Sequence, residues 1–121
     1  MSFLEGLLWL TLNVYHEARS EPEIGQMAVA HVTLNRAIAK QKSVGEIVTA
    51  PYQFSWTFQK QSYLPTEFKA LQQSASIALK ALTTPDFTQG ATFYHHTRVH
   101  PHWADDMTFI AQYGSHKFYS N

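Results

Sequence analysis

Phe3, Leu7, Leu10 and Val14 recur at helical spacing and share one face, and the next position on that face is Glu17. A carboxyl thus stands where a core side chain belongs. Burial penalises its charged form and raises its pKa, which suits a group that donates a proton near neutral pH. Periodicity alone favours a plainer arrangement, in which Glu17 reaches solvent from the last turn or pairs with Arg19. Two other sets of residues could do chemistry. His95, His96, His100, His102 and His116 offer imidazoles to a transition metal, although their spacing specifies no known site. His16-Glu17 opens like a zinc-protease helix, yet Ser20 stands where the second histidine would fall. The histidines are therefore read as surface or groove-lining groups, and no metal or other cofactor is expected. Ser55 with a distant histidine would make a nucleophile, but no Gly-x-Ser-x-Gly elbow surrounds it.

The elements that must position these groups are mostly helical. Ser2 with Glu5 forms a capping box that starts a first helix ending near Ala18, apolar enough all round to be central and buried. Ser20 with Glu23 looks like a second box, with Pro22 in the first turn and a helix from about Glu21 to Lys40. Its expected buried face is Ile24, Met27, Ala28, His31, Val32, Asn35 and Ile38, with His31 and Asn35 as satisfied core polar groups. Ser43 with Glu46 starts a short third helix ending near Ala50. From Pro51 to Pro65 the helical period disappears, and Tyr52, Phe54, Trp56, Phe58 and Tyr63 either close the core or line a groove. A fourth helix over about Thr66 to Leu82 should bury Phe68, Leu71, Ala75, Ala78, Leu79 and Leu82. Beyond Pro85 the composition turns to Thr, Phe, Tyr and Ile. Thr108–Gln112 and His116–Tyr119 then flank a hairpin turn at Tyr113-Gly114-Ser115, and a small antiparallel sheet closes the domain.

Composition narrows the function. One hundred and twenty-one residues suit a single domain spanning 1–121 that needs no disulfide, and there is no cysteine to form one. Nine basic and nine acidic residues balance, which leaves no basic footprint for nucleic acid. The aromatic share of 14% is the more telling figure, because rings outside the core stack on sugars or on protein partners. No Lys or Arg precedes Arg19, and Glu5 and Asn13 interrupt the apolar start. The N-terminus is therefore read as a helix of the mature fold, without a signal peptide or stable membrane insertion.

Taken in order, several stretches resemble one family. Tyr15-His16-Glu17-Ala18-Arg19-Ser20-Glu21-Pro22, Gly25-Gln26-Met27-Ala28-Val29-Ala30 and Leu34-Asn35-Arg36 are similar to the catalytic domain of the bacterial cell-wall hydrolases that include the spore-cortex-lytic enzymes. Tyr52-Gln53-Phe54-Ser55-Trp56, Gly90 to His95, Pro101 to Ala104 and Gly114 to Tyr119 continue the likeness over nearly the whole chain. The resemblance implies an α+β, mainly α, lysozyme-like domain with four helices and a small antiparallel C-terminal sheet. It implies cleavage of peptidoglycan glycan strands between N-acetylmuramic acid and N-acetylglucosamine, in the manner of a lytic transglycosylase. The family's catalytic Glu maps onto Glu17, and Tyr15, Gln53, Ser55, Trp56, Tyr94 and Trp103 would shape the saccharide groove. Glu21, the nearest spare carboxyl, is expected as N1 of the second helix, where it favours the helix dipole.

One departure is Ser20, where the family commonly has Gly; Ser fits if the position is an N-cap and not if it needs positive φ. With no wall-binding domain or leader in view, the reading extends to a monomeric bacteriophage lysis enzyme. It would be made in the cytoplasm, be released by a holin-type partner and act on the bacterial wall. A hydrolytic muramidase, a metal-dependent amidase and an inactive wall-binding module are the competing readings.

Overall fold

The structure, a computed structural model, describes residues 2–50, 54–58 and 64–121. The Ser2 hydroxyl accepts from the Glu5 N–H while the Glu5 carboxylate accepts from the Ser2 N–H, and this reciprocal box starts α1 (Phe3–Ala18) as expected. A second such box, Ser43 with Glu46, starts α3 (Val44–Thr49). The box expected at Ser20 and Glu23 does not form. Pro22 is the N-cap of α2 (Glu23–Lys40), with φ −60° and ψ 160°, and no side chain caps it. Proline disfavours helical backbone in the residue before it, so Glu21 falls outside the helix and is not its N1 residue. Ser20 is consequently no N-cap either. It is tolerated because its φ is not positive; among described residues other than glycine, only Gln41 and Gln89 have that conformation.

Helix α4 (Phe68–Thr83) lies against α1 and α2, and α1 also packs on α3. Leu10 and Val14 of α1 meet Ala30 of α2 and Ile77, Ala78 and Ala81 of α4 in one cluster. The expected helix faces are partly rotated. In α4 the buried residues are Ser74, Ile77, Ala78 and Ala81, whereas Phe68 and Leu79 are exposed. In α2 the buried run is Gly25 to Thr33, excepting half-buried Met27, and Ile24 and Ile38 project from the two ends. Nor is α1 buried all round, since Phe3, Leu4 and Leu8 are exposed on its first two turns.

Three strands follow: β1 (Phe93–His96), β2 (Thr108–Tyr113) and β3 (His116–Ser120). They form an antiparallel sheet in the order β1-β3-β2, with β2 and β3 joined through Gly114-Ser115 as the turn chemistry predicts. Gly114 has φ +61°, and a Cβ there would lie 2.4 Å from Glu21 Oε1, so glycine is required twice over. The sheet docks through Phe118, which packs with Ala18, Ala28, Val29, Val32 and Ala91. Docking at this point sets the strands beside the C-terminal end of α1. Among the described residues no helix is long and apolar enough to cross a membrane.

Candidate active site

Glu17 lies one residue from the end of α1, half-buried, in a pocket of about 370 Å³ lined by His16, Glu17, Ala18, Arg19, Ser20 and Glu67. The Tyr94 hydroxyl on β1 donates to Glu17 Oε1. Desolvation by burial pushes the Glu17 carboxyl above the usual range, and the Tyr94 hydrogen bond and the Arg36 charge hold it back in part. Tyr94 is pushed well above the ordinary tyrosine range, first by burial and then by the nearby Glu17 charge, so its hydroxyl keeps its proton and acts as the donor. The apolar stripe that ends in Glu17 therefore does build a partly desolvated carboxyl. The alternative pairing with Arg19 is not formed, because Arg19 Nε instead meets Glu67 Oε2 at 2.6 Å.

Arg36 completes the environment. It projects from α2, donates from Nε to the Thr92 carbonyl at 2.6 Å, and lies over the Phe54 and Phe93 rings at 5.3 and 5.5 Å. Burial disfavours its charge, and the Glu17 carboxylate is among the groups that favour it. Three separate segments thus bear on one carboxyl: a helix end supplies it, a strand supplies a neutral donor in contact, and Arg36 of a second helix acts on it through its charge.

The structure disperses several of the residues expected in the groove. Tyr15 is buried and does not line the pocket; its hydroxyl accepts from the Thr66 and Glu67 N–H groups at 3.1 and 3.0 Å, and its ring carries the Arg19 guanidinium at 4.6 Å. It fixes the pocket wall from behind. Trp56 is also buried, in a short 3₁₀ turn (Ser55–Phe58), and stacks on the pocket residue His16 with ring centroids 4.5 Å apart. Ser55 opens that turn, and Gln53 lies outside the described residues. Trp103 packs on Phe93 and His95, which point to the opposite face of β1 from Tyr94, so it is not gathered with Glu17.

Of the five histidines from His95 onward, His95, His96 and His100 have polar partners within the fold, whereas His102 is exposed and the buried His116 Nδ1 has no hydrogen-bond partner among the described residues. His95 places its two ring nitrogens 2.8 Å from the His96 carbonyl and 2.8 Å from the Tyr119 hydroxyl. His100 pairs with Asp105 at 2.9 Å, and His116 Nδ1 is 3.7 Å from Glu21. On α2, Asn35 is satisfied as expected by Asp86, Thr88 and the Ala91 carbonyl. His31 is buried beside Asp86, but its Nε2 has no partner among the described residues, so it is only half the satisfied core group expected.

Asn13 is a further contributor that residue spacing did not single out. Fully buried, it accepts from Trp56 Nε1 at 2.9 Å and donates to Thr33 Oγ1 at 3.0 Å, so it ties the His16-stacked indole to α2. Its polarity inside the apolar run of α1 was the available signal. Asn13→Leu, similar in shape, withdraws both bonds and is expected to cost about 2–3 kcal/mol. Thermal unfolding should register this as a fall in Tm of roughly 10 °C.

Residues 20–119 match the model of the Cell Wall Hydrolase family. The chain belongs to that family. This cell wall hydrolase family member is 35% identical over 83 residues to a spore cortex-lytic enzyme of Halalkalibacterium halodurans. That match takes in 67% of this chain and 24% of the relative, so the chain spans about a quarter of that protein's length. Its structure superposes on the catalytic domain of the germination-specific lytic transglycosylase SleB from Bacillus anthracis with a TM-score of 0.82 and 28% identity, covering 99% of this chain and 97% of the other. The SleB catalytic domain from Bacillus cereus gives a TM-score of 0.79, also at 28% identity, over 96% and 91% of the two chains. The mainly helical fold with its small antiparallel sheet is therefore that of the SleB catalytic domain. The match to the family model begins three residues after Glu17, whereas the structural likenesses extend over nearly all of the chain.

Proposed function

We propose that this domain cleaves the bond between N-acetylmuramic acid and N-acetylglucosamine in peptidoglycan glycan strands, and that Glu17 serves as both acid and base. The observation that carries this reading is the Glu17 carboxyl, raised in pKa by burial and met by the Tyr94 hydroxyl beside an open pocket, on a fold shared with a lytic transglycosylase domain. Protonated Glu17 gives its proton to the glycosidic oxygen as the bond from that oxygen to the muramoyl C1 breaks, which relieves the poor leaving group and leaves an oxocarbenium-like centre. The carboxylate so formed takes the proton of the muramoyl C6 hydroxyl, whose oxygen closes on C1. The products are a free N-acetylglucosamine hydroxyl and a 1,6-anhydro-muramoyl end, and Glu17 is again protonated. No second carboxylate is needed.

Burial favours the protonated form of Glu17 that the first step needs, while Tyr94 and Arg36 stabilise the carboxylate between the two steps. The test is mass spectrometry of soluble fragments released from purified peptidoglycan. Anhydro-muramoyl ends are expected from the wild-type protein. Reducing muramic ends would replace the cyclisation step by attack of water, and free stem peptides would overturn the glycosidic reading.

A further inference from the structure

We propose that Glu21 is a positioning residue for the reaction: its carboxylate fixes the height of the sheet on α1 and so places the Tyr94 hydroxyl on Glu17. The inference rests on the reading of Glu17 as the acid. Glu21 lies in the turn between α1 and α2, outside both helices, and its side chain is only 8% exposed. Oε1 accepts from the Ser115 N–H at 2.7 Å. Ser115 in turn accepts, through its carbonyl, from the Thr97 N–H at 2.8 Å, three residues beyond Tyr94. One residue of the hairpin turn therefore ties the end of β1 to the turn that leaves the helix carrying Glu17.

The joint is tight. A Cβ on Gly114 would lie 2.4 Å from Glu21 Oε1 and 2.9 Å from Pro22 Cδ, and a Cβ on Gly25 would lie 3.3 Å from the Tyr113 carbonyl. Side chains carry the same connection inward. His116 follows Ser115, lies 3.7 Å from Glu21 and sets its ring edgewise against Tyr94 at 5.2 Å, while Phe118, the register partner of Tyr94, packs against it at 5.5 Å. At its other end β1 is held by α2, through Asn35 to the Ala91 carbonyl and Arg36 to the Thr92 carbonyl. Tyr94 is thus suspended between two anchors. Glu21 is the one built into the catalytic helix's own exit.

A double-mutant cycle tests this, with kcat and KM measured on soluble glycan fragments for Glu21→Ala, Tyr94→Phe and the double variant. A misplaced catalytic contact costs up to about 100-fold, so Glu21→Ala is expected to lower kcat on the order of tenfold with KM nearly unchanged. In the Tyr94→Phe background the same substitution should cost nothing more, because the hydroxyl it positions is gone. Glu21→Gln, whose amide oxygen can still accept from Ser115, should restore most of the loss. If Glu21→Ala fails to fold, Glu21→Asp withdraws the acceptor by one methylene and should show a smaller loss that likewise vanishes in the Tyr94→Phe background. Additive losses in the double variant, a change confined to KM, or a Gln variant as poor as the Ala variant would each overturn the proposal. Glu17→Gln run alongside separates the two readings: full activity in that variant removes the catalytic assignment, whereas the cycle concerns Glu21 alone.

Discussion

Glu17→Gln is expected to fold normally and, under the proposed mechanism, to lose glycan cleavage by about 10³-fold or more, since a positioned acid contributes on the order of 10²–10⁴ and the same carboxyl is proposed as the base. The same substitution should stabilise the protein above weakly acidic pH. The sign follows from proton binding. Because the folded-state pKa of Glu17 lies above its unfolded value, the native state holds the proton more tightly. Its contribution to stability is greatest below the unfolded pKa and diminishes as pH rises through the folded one. Glutamine has no proton to lose, so Tm of the variant should exceed that of the wild type increasingly as pH rises across this window. Calorimetry from pH 4 to 8 checks it. A variant that is active, or one whose Tm difference does not grow with pH, contradicts the assignment of a desolvated carboxyl. In the wild type kcat/KM should fall as pH rises through the raised pKa, because the first step needs the protonated form.

Arg36→Met is expected to have the next largest effect. Methionine preserves an apolar stem between the Phe54 and Phe93 rings but removes the cation and the donor to the Thr92 carbonyl. Without that charge the Glu17 carboxylate is less stabilised when it forms, and kcat should fall by roughly 10–100-fold, less than the about 10²–10³-fold cost of losing a donor that touches the reacting group. The alkaline limb of the pH profile should move upward, since Arg36 at present lowers the Glu17 pKa against the effect of burial. Stability should drop by about 2 kcal/mol from the lost charged hydrogen bond. Arg36→Lys restores charge without the planar fork and should recover the pH profile better than the stability. A limb that stays in place would mean that Arg36 acts only as a strut between α2 and the sheet.

Much of this arrangement could be read from local spacing, and what could not has identifiable causes. Two capping boxes needed only residues three apart, and both formed. The third failed because Pro22 imposes its own approach on the chain, a constraint stronger than one side-chain hydrogen bond. Helix α4 was misphased because its buried face is made of Ser74, Ala78 and Ala81 beside Ile77; small residues admit a close neighbour, yet hydrophobic pattern weights the larger Phe68 and Leu79. Glu17 stood out as a carboxyl ending an apolar stripe. Tyr94 entered through family likeness, and Arg36 was present in a quoted motif without a role, because nothing local marks a contact across 77 or 56 residues. Glu21 was read from its helix-start context, and only the docked hairpin shows what its carboxylate holds.

The long reach of the bond between Tyr94 and Glu17 has a consequence for the order in which the molecule assembles. Closing so large a loop gains nothing until the sheet has docked, so contacts of this kind belong to the late, slow part of folding. Helices α1, α2 and α4 can pair beforehand with their shared cluster complete. At that stage Glu17 has neither the Tyr94 donor nor the sheet beside it. A chain with only its helical layer formed lacks the Tyr94–Glu17 pair, which arrives with the sheet.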